Sequence, residues 1–147
     1  MNLKLCILSL FTVNICNSVF GLPTLGTLQS AAVKGKFLCN GEPYFNAKVK
    51  LYDVDTLDLD DLMASGTSGH DGLFKLVGNE TEITTIDPKL NVYHNCNDEA
   101  IECLRKFSII IPQDYVTKES DVPEKEFDIG IINLSAQMPG ETRDCIN

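Results

Sequence analysis

The sequence lacks any long apolar run after its first residues, which removes integral membrane proteins from the candidate classes. The longest later run is the three isoleucines at 109–111, which Pro112 ends. A bilayer crossing takes about 20 apolar residues. Residues 144–147 form neither a prenylation box nor a retention tetrapeptide. We therefore expect a soluble protein with no transmembrane segment and no lipid anchor.

Basic residues are also scarce. Lys and Arg number 12 against 21 Asp and Glu, which gives a net charge of −9. An acidic chain without a cluster of basic residues is a poor candidate for binding nucleic acid or anionic membranes. The main interpretation of this charge is a well-solvated surface, and a preference for basic partners is the second interpretation.

The residues that usually carry catalysis are few. Only two histidines are present, His70 and His94, and no Gly-x-Ser-x-Gly elbow occurs. His70 lies in a predicted turn and His94 at a predicted strand end, so we expect both to be structural. No Cys-x-x-C is present to hold a metal. The sequence therefore predicts a protein that is not an enzyme and that has no cofactor.

The first residues have the order of a secretory signal peptide. Lys4 is followed by an apolar run over 5–13 and by small residues at Ser18 and Gly21. We predict a signal peptide over residues 1–21, with cleavage after Ser18 as the alternative, and hence a secreted, extracellular protein. Loss of Lys4 would take the net charge from −9 to −10. A turn-rich, flexible segment is predicted over 22–30 and a single domain over 31–147.

Four of the six cysteines, Cys39, Cys96, Cys103 and Cys145, lie beyond the predicted signal peptide. An even number in a small exported domain indicates disulfides, and four cysteines allow three pairings. Because Cys96 and Cys103 are close in sequence, we favour a bond between them across a hairpin connection. Cys39 would then join Cys145, and closing that long loop would stabilise the fold by about 4 kcal/mol.

Short segments of alternating apolar and polar residues predict an all-β sandwich. Val33 and Phe37, Val49 and Leu51, and Phe107 with Ile109 lie on the inward faces of their strands. The predicted strands are 31–39, 47–52, 72–77, 90–95, 104–111 and 126–134. Two long connections, 53–69 and 113–125, are where we expect recognition, because long loops are often functional. At most a single helical turn is expected, near 57–63 or 114–116.

The first long connection is rich in aspartate, and the chain has two glycosylation sequons. Clustered carboxylates can bind calcium, but the EF-hand pattern fails, and the other interpretation is a solvated loop whose aspartates begin turns. The aspartates concerned are Asp53, Asp55, Asp58, Asp60 and Asp61, and we predict no metal site among them.

Asn79 is the expected glycosylation site, because it follows Gly78 at a strand end, whereas Asn133 is less accessible.

Ordered motifs from Ser30 to the end of the chain resemble the transthyretin-like family of secreted proteins, known chiefly from nematodes. The motifs are Val33-Lys34-Gly35-Lys36-Phe37-Leu38-Cys39-Asn40-Gly41, Val49-Lys50-Leu51-Tyr52-Asp53, Asp60-Asp61-Leu62-Met63-Ala64, Ile86-Asp87-Pro88, Tyr93-His94-Asn95-Cys96-Asn97-Asp98, Ile109-Ile110-Ile111-Pro112, Phe127-Asp128-Ile129-Gly130, Ile132-Asn133-Leu134 and Pro139-Gly140-Glu141-Thr142-Arg143-Asp144-Cys145. One departure is the turn before the third strand, where the family often has Thr-Asp-x-x-Gly-x-Phe. Here Gly72 and Phe74 keep their places although the preceding residues differ.

The resemblance implies a transthyretin (prealbumin)-like β-sandwich of about seven strands, disulfide-stapled through the same four cysteines. It also implies secretion and a role outside the cell or at cell surfaces. Within the wider superfamily, 5-hydroxyisourate hydrolases end in Tyr-Arg-Gly-Ser, which this chain lacks, and hormone carriage does not transfer by fold alone. We therefore expect an extracellular binding or adaptor module for a protein, a glycan or a cell surface. A carrier of a small hydrophobic ligand is the alternative, and the oligomeric state stays open.

Overall fold

The structure is a computed structural model that describes residues 25–55 and 59–147. Seven of its strands have six residues or more, which confirms the predicted number, and a single 3-10 turn spans Gln113–Tyr115. The predicted signal peptide, with Cys6 and Cys16, lies outside the described residues. The strands are β1 (Thr27–Cys39), β2 (Glu42–Pro43), β3 (Lys48–Asp53), β4 (Asp61–Thr67), β5 (Leu73–Glu82), β6 (Pro88–His94), β7 (Leu104–Ile110), β8 (Thr117–Lys118), β9 (Glu126–Asn133) and β10 (Thr142–Asp144).

The strands form two sheets, as the all-β prediction required. In the first sheet the long strand β1 pairs antiparallel with β5 along one side, and parallel with β9 along the other. The short strands β2 and β8 extend the same sheet beside β1. The second sheet has the order β10-β7-β6-β3-β4, with every pair antiparallel.

The first hairpin shows how local sequence sets a turn. Cys39 pairs with Glu42, so Asn40 and Gly41 alone connect β1 to β2. Their φ angles are +54° and +86°. Two consecutive residues with positive φ match the twist of a two-residue hairpin, and Asn-Gly is the pair that adopts this backbone most readily.

The core lies between the sheets and is built by the predicted alternation. Val33, Phe37, Val49, Leu51 and Phe107 are each at most 1% exposed. The rings of Phe37 and Phe74, on paired strands, stack with their centroids 4.8 Å apart. Alternation with a period of two puts these side chains on one face of each strand, which is why the sequence predicts them well.

The predicted flexibility of residues 22–30 is wrong for 27–30, which begin β1. Gln29 and Ser30 are at most 1% exposed. The Gln29 amide donates to the carbonyl of Thr84 over 2.6 Å and accepts from the backbone N–H of Ile86 over 3.2 Å. The buried Gln29 side chain, with both its amide nitrogen and its amide oxygen hydrogen-bonded, holds this segment in the sheet. The polar composition of the segment gave no indication of that role.

The predicted long loop 53–69 is also wrong, because β4 occupies Asp61–Thr67. This removes the expected helical turn for Asp61, Leu62 and Met63, while residues 57 and 58 lie outside the described part of the chain. β4 pairs only with β3, and its side chains are exposed or half-buried. A strand at a sheet edge needs no alternating apolar face, so the sequence carried no signal for it. The second long connection holds the 3-10 turn, close to the turn expected at 114–116, and β8.

The disulfide pairing that we favoured is wrong. Cys39 bonds Cys96, with Cα atoms 5.8 Å apart, and Cys103 bonds Cys145. Cys96 does follow the hairpin strand β6, but its side chain faces the core and is fully buried beside the end of β1. Asp144 pairs with Leu104, so Cys145 and Cys103 come next to each other beyond the ladder. One disulfide thus joins the two sheets, and the other closes the edge of the second.

Candidate functional site

Connecting segments gather at the end of the sandwich where the Cys39–Cys96 disulfide lies. We call this the disulfide end, defined by residues 40–47, 68–72, 95–103 and 134–141. The strand registers bring these segments together, since Leu38 pairs with Asn133 and Lys48 pairs with both Thr67 and Tyr93. Loops held on a rigid sheet scaffold are where binding residues most often lie.

Hydrogen bonds reinforce the disulfide at this end. The side-chain amides of Asn40 and Asn97 bond each other in both directions, over 2.8 Å and 3.0 Å. Both asparagines have positive φ, at +54° and +57°. The two loops are therefore joined by a covalent bond and by a pair of hydrogen bonds, which fixes their relative position.

Phe45 is the main exposed aromatic side chain of the disulfide end. It is 52% exposed and stacks on the imidazole of His70, with centroids 4.0 Å apart and planes 6° apart. Its neighbour Tyr44 is anchored, since the Tyr44 hydroxyl donates to Asn95 over 2.6 Å and the Tyr44 carbonyl accepts from the Ser68 hydroxyl over 2.6 Å. An aromatic ring held in place at the surface loses little entropy when it binds a partner.

A polar groove of about 470 Å³ adjoins these loops, with Asp98, Arg105, Glu141 and Arg143 in its lining. The Arg105 guanidinium bonds both oxygens of Glu141, over 2.7 Å and 3.0 Å. Arg143 bonds both oxygens of Asp98, over 2.5 Å and 3.0 Å. Bonding from these guanidiniums lowers the pKa of Glu141 and of Asp98 below their usual values. Both carboxylates are thus engaged in ion pairs, an arrangement suited to holding structure and to binding polar groups.

His70 belongs to the disulfide end, and His94 is the last residue of β6 next to it, but the two histidines have different roles. His94 is 2% exposed, and its ring packs edge-on against Tyr44 and Phe107. Its Nδ1 accepts the backbone N–H of Cys96 over 3.3 Å. Burial, together with the nearby charge of Arg105, lowers the pKa of His94 to about 4. His94 is therefore a neutral core residue near pH 7, whereas His70 is a surface platform for Phe45.

The structure gathers a different acidic set from the one that the sequence suggested. Carboxylate oxygens of Asp53, Asp55 and Glu82 lie within 4.8 Å of one another at the opposite end of the sandwich. Asp53 is 2% exposed and accepts the backbone N–H of Asp87 over 2.7 Å. Burial raises the pKa of Asp53. These three carboxylates are the described residues best placed to hold a divalent cation.

Asp60 and Asp61 do not join the set. Asp60 forms an ion pair with Lys89, with Nζ and Oδ2 2.5 Å apart. Asp61 lies exposed at the start of β4, and Asp58 is outside the described residues. Glu82 could not be predicted as their neighbour, because it comes from the end of β5 and only the fold brings it to Asp53.

Both sequon asparagines are exposed. Asn79 projects from the middle of β5 rather than from a strand end. Asn133 is the last residue of β9, and its Oδ1 accepts from both the backbone N–H and the hydroxyl of Ser135, the hydroxyl over 2.7 Å. The expected inaccessibility of Asn133 is therefore wrong, while glycosylation of Asn79 stays a prediction.

Within residues 25–55 and 59–147, no helix has the length and apolar character needed to cross a membrane.

Comparison with known proteins gives concordant similarities. The sequence profile of the transthyretin-like family matches residues 34–112. The chain is 47% identical to transthyretin-like protein 5 of Caenorhabditis elegans over 134 residues, which cover 90% of this chain and 96% of that protein. It is 44% identical to transthyretin-like protein 33 of the same organism, over 89% of this chain and 94% of that one. Transthyretin-like protein 2 is 41% identical over 98% and 99% of the respective chains.

Proposed function

The chain belongs to the transthyretin-like family, and from that premise we propose that it is a secreted binding module that acts outside the cell or at cell surfaces without catalysis. The disulfide end is the surface that binds. Two disulfides support export, because such bonds persist in oxidising compartments. The partner is an extracellular protein, a glycan or a cell surface.

The observation that carries this proposal is the exposed Phe45 ring on loops that are already fixed. Interfaces obtain most of their binding energy from a few anchors, and aromatic side chains are prominent among them. Phe45 is 52% exposed, stacked on His70, and flanked by the anchored Tyr44. The polar groove beside it supplies hydrogen-bonding groups of the kind found around such anchors.

A binding role is also favoured over a catalytic one by how the polar groups of this end are used. Glu141 and Asp98 are held by arginines, and His94 is buried with its Nδ1 bonded to the backbone. Groups in such pairs are poorly placed to exchange protons with a substrate.

The test is capture of partners from extracellular fluid or intact cell surfaces with purified protein, followed by cross-linking. We expect wild-type protein to recover a partner that Phe45→Ala recovers at least tenfold less, because truncating an aromatic anchor commonly costs about 2 kcal/mol or more of binding energy. The matched control is Ile83→Ala, which truncates a residue 78% exposed in the connection after β5. Equal capture by both variants would contradict the assignment to the disulfide end, and no specific capture by wild-type protein would contradict the binding role.

A further inference from the structure

The outer face of the second sheet brings together lysines that are dispersed in the sequence. Lys48 of β3 and Lys106 of β7 both stand directly opposite Tyr93 of β6. Lys50, two residues along β3, stands opposite Asn91. No basic cluster is visible along the sequence, because this one exists only in the register of three neighbouring strands.

Two of these cations lie over one aromatic ring. The Nζ atoms of Lys50 and Lys106 are 5.5 Å and 5.4 Å from the centre of the Tyr93 ring. Tyr93 is only 3% exposed and Asn91 only 5%, although both point away from the core. The lysine stems and their neighbours therefore cover a polar floor, and a groove of about 550 Å³ lies above it. We call this the lysine groove, with Lys50, Asn91, Tyr93 and Lys106 at its centre.

The charges of the groove are poorly compensated for a chain whose net charge is −9. Asp60, Asp144 and Asn147 also line the groove, but the oxygens of Asp60 and Asn147 already have cationic partners, Lys89 and Lys48 respectively. Lys106 is 3.5 Å from the nearest oxygen of Asp144, which is long for a charged hydrogen bond. Among residues 25–55 and 59–147, Lys50 forms no ion pair. On the outer face of the first sheet, by contrast, Lys34 and Lys75 both bond Glu126. Two ammonium groups near one ring repel each other, and an anion between them would relieve that repulsion.

One side of the groove is apolar. Leu59 is 84% exposed and Ile146 is 96% exposed, and both line the groove together with the ring of Tyr52. Exposed apolar side chains that adjoin a concave site are a usual feature of ligand binding. The groove thus combines a cationic centre with an apolar rim.

We propose that the lysine groove binds a small amphiphilic anion, with a carboxylate or phosphate head between Lys50 and Lys106 and an apolar body against Tyr52, Leu59 and Ile146. This site lies on the sheet face and shares no lining residue with the Phe45–His70 pair. It goes beyond the proposed binding role of the disulfide end, and either can fail without the other.

The test is calorimetric titration of the purified protein with decanoate, below its micelle concentration. Inorganic phosphate supplies the head alone and decanol the apolar body alone, and we expect each to bind at least tenfold more weakly than decanoate. Lys50→Gln and Lys106→Gln should each lower decanoate affinity about three- to fivefold, because an exposed charge pair contributes up to about a factor of five. Lys50→Arg should retain the binding.

The matched control is Lys36→Gln, which removes the same charge from the outer face of the first sheet and should leave decanoate affinity unchanged. Thermal unfolding of each variant verifies the fold. Sedimentation with phosphatidylcholine vesicles, with and without phosphatidylglycerol, shows whether the anionic head is also taken from a bilayer. The proposal is overturned if neither decanoate nor anionic vesicles bind, if phosphate alone binds as well as decanoate, or if Lys36→Gln matches the loss in the groove variants.

Discussion

Arg105 and Glu141 form a largely buried, bidentate ion pair that joins β7 to the segment before β10. Their side chains are 11% and 9% exposed. Arg105 also donates to the carbonyls of Cys96, Leu134 and Ala136 over 2.8–3.0 Å. One guanidinium therefore holds the end of β9, the connection after β6 and the C-terminal segment in a single arrangement.

Removing this guanidinium should strongly destabilise the protein. Arg105→Ala leaves Glu141 and three carbonyls without their donor, and breaking a buried pair in this way costs about 3–5 kcal/mol. Urea unfolding followed by circular dichroism measures the loss. Arg143→Gln, which breaks the more exposed pair with Asp98, should cost far less, because solvent screens that pair. Similar losses in the two variants would show that burial of the Arg105 pair does not determine its contribution.

Buried His94 should make the protein sensitive to mild acid. Its pKa is about 4 in the fold, against an ordinary value of 6.5, so between these values the unfolded chain binds more protons than the folded one. The contribution of neutral His94 to the free energy of unfolding is thus fully present above about pH 6.5. It falls by about 3 kcal/mol as the pH drops towards 4. Urea midpoints from pH 7.5 to 4.5 measure this slope. His94→Gln should flatten it, and a wild-type midpoint that does not fall over this range would refute the prediction.

The lowered pKa of Glu141 acts in the same direction but in more acidic solution. Its carboxylate is stabilised by Arg105 in the fold, so its contribution is present above the ordinary value of 4.5 and is lost as the pH falls through the lower folded pKa. Glu141→Gln should therefore remove part of the acid sensitivity below pH 4.5 and leave the slope between pH 6.5 and 5 intact.

The disulfide pairing can be tested by removing cysteines in pairs. Each bond closes a loop, with sequence separations of 57 and 42 residues, and each is worth about 4 kcal/mol in the chain-entropy model. Cys103→Ala with Cys145→Ala should retain the Cys39–Cys96 bond and fold with reduced stability. Cys96→Ala with Cys103→Ala should leave two unpaired thiols, which thiol titration detects. A disulfide between Cys39 and Cys145 in that variant's native peptide map would contradict the pairing.

Gly72 should not tolerate a side chain. Its φ is +78°, and a Cβ there would lie 2.3 Å from the carbonyl oxygen of Phe37. Because that oxygen belongs to the backbone of β1, Gly72→Ala should cost clearly more than the roughly 1 kcal/mol of a strained φ alone. Gly41→Ala is the matched control, since Gly41 has a φ of +86° with open space around it. Equal unfolding midpoints for the two variants would show that the contact with β1 is unimportant.

Glycosylation of Asn79 is expected when the chain passes through a eukaryotic secretory pathway. The side chain is exposed on the edge strand β5, so an attached glycan meets no obstacle. Mass spectrometry before and after glycosidase treatment should show a shift that Asn79→Gln abolishes. Asn133→Gln separates any contribution of the second sequon, and an unchanged mass after glycosidase treatment of wild-type protein would contradict the prediction.

The sequence by itself determined the elements whose side chains alternate between core and solvent. Val33, Phe37, Val49, Leu51 and Phe107 were predicted as inward residues because burial on one face of a strand leaves a period of two. Asn40–Gly41 is a strong turn signal in the sequence, because few residue pairs adopt two positive φ angles so readily. The family resemblance, carried by ordered motifs, indicated the sandwich as a whole.

Only the tertiary structure decided which distant residues meet. The edge strand β4 has no fully buried residue and leaves no periodic signal, and Gln29 secures β1 through partners more than 50 residues away. The pairing of Cys39 with Cys96, the meeting of Glu82 with Asp53, and the placing of Lys50 and Lys106 over Tyr93 all depend on strand order and register. Alternation of apolar and polar residues determines which face of a strand turns inward, but it does not determine which strands pair with it. The candidate sites of this protein therefore form only when the sheets assemble.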